Sequence, residues 1–375
     1  MSATQKARAA LSLAWLRHDE YTTLLAEFGS VEAIAAQSAN RLERAGLAAA
    51  KSRRIAEPDA ADLAATLAWL DAADQSLVFT GDPDYPPLLH DLSGPPLALY
   101  VKGDSAALSL PALAVVGSRN PTRGGLANAR DFALHLGRRG FAIISGLAEG
   151  IDAAAHAAAL DAGAPTVAVL GTGIDRVYPS RHRDLAHRIA AGGALVSEYP
   201  LGTAPRRQHF PERNRLITGL SLGTLVVEAA RRSGSLISAR LAAEQGREVF
   251  AIPGSIHNAL ARGCHELIRQ GAKLVETGDD IVGELGPLVR HLASEPAPRD
   301  APPDTPRETL SEEQENLLNA MGHDPVSTDE LLEIPAVKSR LTIGELSSML
   351  LILELEGHIE QLAGGRYARR SRDSR

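Results

Sequence analysis

Three short segments of the sequence combine glycine, serine and arginine in an order that suits the binding of a phosphate. In the first, Gly117 closes a short apolar run and is followed by Ser118 and Arg119. Glycine lets the backbone approach a ligand, and serine and the amides of a helix start donate hydrogen bonds to an anion. Arginine adds a planar fork that can hold one phosphate with two bonds. Many strand-to-helix turns have this composition, so this segment alone does not identify a ligand.

The second segment, from Arg206 to Arg215, holds four arginines and one glutamate and forms a local positive patch. Pro211 suits the first turn of a helix, which would place the later arginines near the positive end of its dipole. Arg213 and Arg215 cannot share a helix face, so we expect one to reach the ligand and the other to brace a carboxylate. The candidate carboxylates are Glu149, Glu198 and Glu228. Asn214, between the two arginines, belongs to the predicted site.

An aromatic residue and a third segment complete the candidate site. Phe210 could stack on a nucleic-acid base, although burial in a hydrophobic core is the commoner outcome for phenylalanine. The third segment follows the apolar run TLVVEA and contributes Arg232, Ser233, Gly234 and Ser235. Taken singly it is an exposed charged turn. Together with the other two segments it predicts a phosphate-binding groove, which suits a nucleic-acid backbone.

The patterns of several common sites are missing from the sequence. No GxGxxG follows the first central strand and no GxxxxGK[ST] occurs, which disfavours dinucleotide enzymes and P-loop ATPases. Asp152 and His156 lie one helical turn apart, but without a third ligand we interpret them as a helix cap and a packed histidine. Cys264-His265-Glu266 lacks the second histidine of HExxH. We therefore predict no metal and no cofactor.

The elements that must position these segments are those of a parallel α/β domain. Short apolar runs rich in valine, isoleucine and alanine alternate with stretches of helical spacing. The runs span 113–117, 141–146, 166–171, 194–199, 224–229, 248–254 and 273–277. Strands that are apolar throughout are typical of a parallel sheet covered on both faces. Right-handed crossovers bring all their C-terminal ends, and with them the three segments, to one edge.

Two smaller regions flank this core. The N-terminal region is rich in alanine and leucine with helical spacing, and prolines then mark a connector to a further strand, LALYVKG. After a proline-rich linker, the C-terminal region predicts three helices and a hairpin turning at Gly364-Gly365, which is winged-helix-like. The predicted boundaries are 1–80 for the small helical domain, 81–288 for the α/β domain, 289–310 for the linker and 311–368 for the last module.

Composition restricts the class of protein further. A chain of 375 residues that is 44% hydrophobic and 23% charged is typical of a soluble protein with two or three domains. The single cysteine, Cys264, excludes an internal disulfide framework and fits a reducing cytoplasm. No apolar run approaches about 18 residues, so neither a signal peptide nor a membrane span is predicted. The net charge of −7 argues at first against nucleic acid, but local patches decide the field in a groove.

Taken in order, the central blocks closely resemble the DNA-processing protein A (DprA, also called Smf) family. The matching blocks are AVVGSRNPT, ISGLAEGIDAAAH, VLGTGIDRVYP, SEYPLG, FPERNRLITGLS, VVEAARRSGSLISA and FAIPG with the later RQGAKLV. They span about 84–285, and the linker and last module fit the family's layout. Arg232 stands where a lysine is expected, which keeps the charge, and His265 stands where an asparagine is expected.

The resemblance implies a cytoplasmic protein, not an enzyme, that binds single-stranded DNA through an extended Rossmann-like domain. Such proteins dimerise, protect incoming DNA during natural transformation and load the RecA recombinase onto it. The implied DNA-binding positions are Gly117, Ser118 and Arg119, the run Arg213-Asn214-Arg215 and, by extension, Arg232 to Ser235. The family's N-terminal helix-hairpin-helix-like (SAM-like) module would present a Gly-x-Gly turn to duplex DNA. No glycine precedes Gly29 here, so the sequence gives no support to that role.

Two other functions remain compatible with the sequence. Related Rossmann-like folds cleave the N-glycosidic bond of nucleoside monophosphates with a glutamate beside a phosphate loop. Glu228 is the candidate for such a carboxylate, and its alternative role is to pair with an arginine. The last predicted helix, TIGELSSMLLILELEG, carries only acidic charges, which favours a protein contact over DNA reading for the C-terminal module.

Overall fold

A nine-stranded sheet forms the centre of the computed structural model, and seven of its strands are the predicted apolar runs. The strands are β1 (Gln75–Phe79), β2 (Ala98–Gly103), β3 (Ala112–Val116), β4 (Ala142–Ser145), β5 (Thr166–Val169), β6 (Ala194–Ser197), β7 (Gly223–Val226), β8 (Glu248–Ala251) and β9 (Lys273–Leu274). Their order in the sheet is β1-β2-β6-β5-β4-β3-β7-β8-β9. All neighbours from β6 to β9 are parallel, whereas β2 is antiparallel to β1 and to β6. The predicted parallel α/β core is confirmed, with an antiparallel pair added at one edge.

The structure describes residues 2–293, 312–321, 326–334, 346, 349–350, 353, 358–362 and 366–369. They belong to two units, one within residues 1–296 and one within residues 297–375. In this described part of the chain, no helix has the length and apolar character needed to cross a membrane.

The strand order reverses at β3. From β3 the chain builds β4, β5 and β6 toward one edge, and it then returns to place β7, β8 and β9 on the other side. The loops after β3 and β7 therefore lead away from each other and leave a crevice at the C-terminal ends of the strands. Such a crevice is the usual ligand site of an open parallel sheet.

Helices cover both faces of the sheet, which explains why its strands are apolar throughout. The helices of this unit are α1 (Ala3–Leu13), α2 (His18–Phe28), α3 (Val31–Ala35), α4 (Ala39–Arg44), α5 (Ala49–Ala56), α6 (Ala60–Trp69), α7 (Arg123–Arg138), α8 (Ile151–Asp161), α9 (Arg183–Gly192), α10 (His209–Gly219), α11 (Gly234–Glu244), α12 (Arg262–Arg269) and α13 (Gly278–Ala293). Along β3, Ala112, Ala114 and Val116 pack with α10, α11 and α12. Leu113 and Val115 pack on the opposite face with α7 and α8.

The N-terminal helices α1 to α6 form the small helical region that the sequence predicts, but the prediction was wrong for residues 75–79. Residues 75–79 form strand β1. Its last residue, Phe79, is fully buried in the core of these helices and pairs opposite Ala98 of β2. The helical core therefore continues into the edge of the sheet. Both Nη atoms of Arg8 in α1 donate to the carboxylate of Asp82, which follows β1, and one of these distances is 3.0 Å. This ion pair joins the helices to the edge of the sheet.

The described residues of the second unit include two short helices and a small antiparallel sheet. They are α14 (Glu312–Met321), α15 (Thr328–Glu333), β10 (Val326–Ser327), β11 (Ile359–Leu362) and β12 (Arg366–Arg369). The pairing of β11 with β12 confirms the predicted hairpin, while its turn at Gly364-Gly365 lies outside the described residues. Strand β10 pairs with the other side of β12 and was not predicted.

Two further predictions for the C-terminal half fall partly outside the described residues. Helix α13 continues to Ala293, so the first residues of the predicted linker 289–310 are helical. The rest of that linker lies outside the described range. Of the predicted third helix, the described residues 346, 349–350 and 353 are helical, and Leu353 is buried with α14 and α15.

Phe79→Ala is expected to lower the free energy of unfolding by about 3–5 kcal/mol, because it opens a cavity in a core shared by helices and sheet. Phe79 is completely buried, and the ring of Tyr21 packs edge-on against it at 5.5 Å between centroids. Urea unfolding followed by circular dichroism measures the change. Leu110→Ala is the control, since Leu110 is 38% exposed. It should cost less than about 0.5 kcal/mol, and equal losses in the two variants would contradict the shared core.

Candidate functional site

A cleft with a volume of about 1120 Å³ opens where the strand order reverses. Its walls come from the loops after β3, β4 and β7 and from the starts of α10 and α11. The predicted site residues that line it are Gly117, Ser118, Arg119, Phe210, Arg213, Asn214, Ser233, Gly234 and Ser235. Arg215 and Arg232 do not line it. The three segments picked out by composition are therefore brought together in space.

The loop after β3 is fixed against the start of α8. The Ser118 carbonyl accepts the amide of Ile151 at 3.2 Å, and the Ser118 hydroxyl accepts the amide of Asn120 at 3.1 Å. Gly150 has a φ of +80°, and a Cβ there would overlap the backbone of Ser118 and Arg119. Glycine is therefore needed at this contact. The result is a rigid loop that holds Arg119 at the mouth of the cleft.

Arg119 is the exposed cation of this loop. Its guanidinium lies over the ring of Phe210 at 6.0 Å, within the range of a cation–π contact. No carboxylate pairs with it among the residues that the structure describes. An exposed arginine held at a cleft without an acidic partner is available to a phosphate.

Arg213 is buried beneath the cleft and binds the ends of two strands. Its Nη1 donates to the carbonyl of Gly146 at 2.8 Å and to the carbonyl of Val169, and its Nε donates to the side-chain oxygen of Asn214 at 3.1 Å. Burial lowers the pKa of Arg213 to about 10, against the attraction of Asp152. A Cβ on Gly146 would overlap the guanidinium, so this strand end requires glycine.

Asp152 lies near this buried charge and attracts it. It is the second residue of α8, where Gly150 occupies the N-cap position, so the predicted cap role for Asp152 was wrong. Its carboxylate turns back and accepts the amides of Gly146 and Ala148, both at 3.2 Å. Burial raises its pKa, while Arg213 and the two amides oppose the rise. These bonds hold the loop around Leu147, which has a φ of +58°.

Arg215 has the bracing role that was expected of one of the two arginines. Its Nη2 contacts both oxygens of Glu198 at 2.5 and 2.6 Å, and its Nη1 donates to the Gly94 carbonyl at 3.0 Å. Burial raises the pKa of Glu198, and Arg215 opposes the rise. Arg215 thus fastens α10 to the end of β6 and to the connector before β2. Its placement corrects the expectation that it faces the ligand.

The third segment presents a helix start to the cleft. The Ser233 hydroxyl caps α11 by accepting the amide of Ser235 at 3.3 Å, and Ser238 lines the cleft one turn further on. The Ser235 and Leu236 amides are bonded to Ser233, so the positive end of the helix dipole is what favours an anion here. Arg232 is exposed to solvent outside the cleft lining, so here the backbone and hydroxyls face the cleft in its place.

Tyr178 is a cleft residue that the sequence reasoning missed. It is 50% exposed, and its ring lies 5.4 Å from that of Phe210 at an interplanar angle of 47°. Phe210 itself is half-buried and lines the cleft, so it is not a core phenylalanine. The sequence feature that could have indicated Tyr178 is its position in the loop after β5, where an aromatic residue directly precedes a proline. Arg207 and Gln208 also line the cleft.

Glu228 is held at the start of α7 and does not line the cleft. Its carboxylate accepts the amide of Thr122 at 2.9 Å, the Thr122 hydroxyl at 2.6 Å and the side-chain amide of Asn258 at 3.4 Å. The expected pairing of Glu228 with an arginine was therefore wrong. A carboxylate at a helix N-terminus is stabilised by the amides and the dipole there.

His156 is the packed residue that the sequence predicts. The hydroxyl of Thr166 donates to the carbonyl of Ile143 at 2.6 Å, so the Nδ1–H of His156 donates to Thr166 at 2.7 Å. Its Nε2 is buried without a partner among the described residues, and a proton there would find no acceptor. Within the same residues, no three groups of the histidine, cysteine and carboxylate kinds lie together as a metal would need.

This histidine makes stability depend on pH. Burial lowers the pKa of His156 from 6.5 to about 3, so the unfolded chain takes up a proton that the folded protein excludes. Its contribution is complete above pH 6.5 and is lost as pH falls toward 3, at up to about 1.4 kcal/mol per pH unit. His156→Gln keeps a polar side chain beside Thr166 but cannot titrate, so urea unfolding should show a shallower slope below pH 6.5. An unchanged slope would contradict a buried neutral histidine.

Comparison with known proteins covers most of the chain. A family model described as DNA recombination-mediator protein A matches residues 76–286, and one described as the DprA winged helix domain matches residues 286–365. Protein Smf of Escherichia coli (strain K12) is 40% identical over 325 residues, which cover 86% of this chain and 85% of that protein. The DNA processing protein DprA of Streptococcus pneumoniae is 46% identical over 204 residues, which cover 54% of this chain and 72% of that protein.

Two solved structures agree with these matches. The X-ray structure of DprA from Streptococcus pneumoniae has a TM-score of 0.66 at 36% identity, and the match covers 76% of this chain and 98% of that one. A structure of DprA from Helicobacter pylori, described by its single-stranded DNA binding mode, has a TM-score of 0.52 at 29% identity. This match covers 57% of this chain and 96% of that one. The family model, the relatives and the shared fold agree with the order of the sequence blocks, and this chain belongs to the DprA/Smf family of DNA recombination-mediator proteins.

Proposed function

We propose that this chain binds single-stranded DNA in the cleft, protects incoming DNA during natural transformation and delivers it to the RecA recombinase. The observation that carries the proposal is the exposed Arg119 guanidinium over Phe210, with Tyr178 beside it, at the mouth of a cleft of about 1120 Å³. A cation next to aromatic faces is the combination that holds a phosphate and a stacked base together.

The geometry favours a single strand over a duplex. Stacking on Phe210 or Tyr178 requires a base whose face is free, and bases in a duplex are stacked on each other. The positive end of the α11 dipole and the Ser233 hydroxyl attract phosphate oxygens whatever the base. We therefore expect affinity that depends little on sequence and strongly on salt.

The family supports the part of the proposal that concerns recombination. Its description is that of a recombination mediator, and the description of the Helicobacter pylori relative names single-stranded DNA binding. A homodimer that acts in the cytoplasm, together with RecA as the protein partner, completes the proposal.

The alternative of a nucleoside-monophosphate hydrolase finds no support at Glu228. A catalytic carboxylate must reach the sugar of a bound nucleotide, whereas this one lies outside the cleft lining and already accepts three hydrogen bonds. Incubation of the purified protein with nucleoside monophosphates should release no free base above the uncatalysed rate, as followed by liquid chromatography. Release that disappears in Glu228→Gln would favour the hydrolase.

Arg119→Ala should weaken binding of single-stranded DNA by roughly tenfold, because a hydrogen bond between two charged groups is removed. The plot of log affinity against log salt concentration should also become shallower by about 0.7. Fluorescence anisotropy with labelled oligothymidylate measures both quantities, and duplex DNA of the same length serves as a comparison ligand.

Arg138→Ala is the matched control, since Arg138 is an exposed arginine at the opposite end of α7 from the cleft. It should bind as the parent does. Equal affinity of Arg119→Ala and Arg138→Ala would show that Arg119 does not contact DNA. The delivery step is measured by RecA-dependent ATP hydrolysis on single strands coated with a single-strand-binding protein, where Arg119→Ala should stimulate less than Arg138→Ala.

A further inference from the structure

A second cavity adjoins the cleft on the side of β5. Its volume is about 550 Å³, and it shares Tyr178 and Pro205 with the cleft. Its other lining residues are Thr172, Asp175, Arg176, Val177, Arg183 and His187. Because the two cavities have common walls, a flexible chain that leaves the cleft over Tyr178 enters the second cavity directly. The predicted site residues do not include any of its lining.

The second cavity is positively charged. Arg183 is the first residue of α9, is exposed, and has no acidic partner in the part of the chain that the structure describes. Arg176 lies 3.9 Å from Asp175, at the limit of an ion pair, and its side chain is 52% exposed. The Asp175 carboxylate is occupied on its other side, because it accepts the Gly202 amide at 2.9 Å. The cavity is thus lined by two cations, Arg176 and Arg183, and by one carboxylate, Asp175, which is bonded to the loop at Gly202.

The charge changes sign beyond His187. This residue also lines a third cavity, of about 440 Å³, together with Asp74, Lys102 and Asp104. Two carboxylates against one lysine repel a phosphate backbone. A strand that follows the positive surface would therefore end at the second cavity and not continue to the third.

The fold explains why the two positive cavities are continuous. Strand β5 is the neighbour of β4 in the sheet, and both end at the same edge. The cleft takes its walls from the loops after β7, β3 and β4, and the second cavity takes its walls from the loop after β5 and the start of α9. Tyr178 lies in that loop and presents a half-exposed ring between the two.

We propose that the second cavity is a further subsite for the same single strand, in which Arg176 and Arg183 bind phosphates of the nucleotides next to those in the cleft. Tyr178 separates the two subsites and offers its ring to the base at the boundary. This inference rests on the proposed DNA-binding function of the cleft. It predicts that a strand long enough to pass Tyr178 gains contacts that a short strand lacks.

The test compares two lengths of oligothymidylate, about 6 and about 20 nucleotides, on the parent and on the double variant Arg176→Ala/Arg183→Ala. The longer strand should lose roughly tenfold in affinity, and its salt dependence should fall by about 1.4, which is two contacts of about 0.7 each. The shorter strand, which occupies the cleft, should keep its affinity within about twofold. Fluorescence anisotropy measures both, and thermal unfolding verifies that the variant is folded.

The matched control is Arg138→Ala/Arg188→Ala, which removes the same charge. Arg188 lies on α9 outside the second cavity, and it pairs with Asp161 at 3.2 Å. This control should bind both strands as the parent does. Equal weakening of the two lengths, or no weakening of the longer one, would overturn the second subsite while the proposed function stands. A parent protein that binds neither length would overturn the proposed function, and the subsite with it.

Discussion

The guanidinium of Arg213 is buried at the C-terminal edge of the sheet, where it donates hydrogen bonds to the carbonyls of Gly146 and Val169. Taking an arginine out of water is costly unless it is hydrogen-bonded, and here the two carbonyls accept its bonds while Asp152 attracts its charge. Asp152 in turn accepts the amides of Gly146 and Ala148. Helix α10 and the ends of β4 and β5, which meet beneath the cleft, are thus held in one arrangement.

This arrangement divides the arginines of the cleft region into two kinds. Arg213 and Arg215 are bound within the protein, one to strand-end carbonyls and one to Glu198. Arg119 and Arg207 remain exposed at the surface of the cleft. Hydrated surface charges cost little to keep, and a phosphate can replace their water. Arg213 and Arg215 therefore make the walls of the cleft rigid. Arg119 and Arg207 are the cations to which the proposed function assigns the binding of phosphates.

The sequence predicted the parallel strands and the three segments because local composition determines both: continuous apolar runs, and glycine with serine and arginine at their ends. It could not decide between Arg213 and Arg215, since helical spacing shows that they diverge but not which side faces the crevice. It missed β1, because Gln75 to Phe79 form a strand only through long-range pairing with β2. It missed Tyr178 because the loop after β5 approaches Phe210 only in the folded sheet. Each miss depends on a contact between residues far apart in the chain.

The net charge of −7 is compatible with the proposed binding of DNA in the cleft once the charges are located. Exposed charges act over about one Debye length, roughly 8 Å at physiological salt, so a phosphate in the cleft responds to the arginines around it and little to distant carboxylates. The acidic remainder of the surface repels a polyanion that approaches elsewhere. In a binder with little sequence preference, an overall positive surface would hold DNA in many unproductive positions. Under the proposed function, an acidic chain with a local positive region restricts the strand to the place where Phe210 and Tyr178 would stack on its bases.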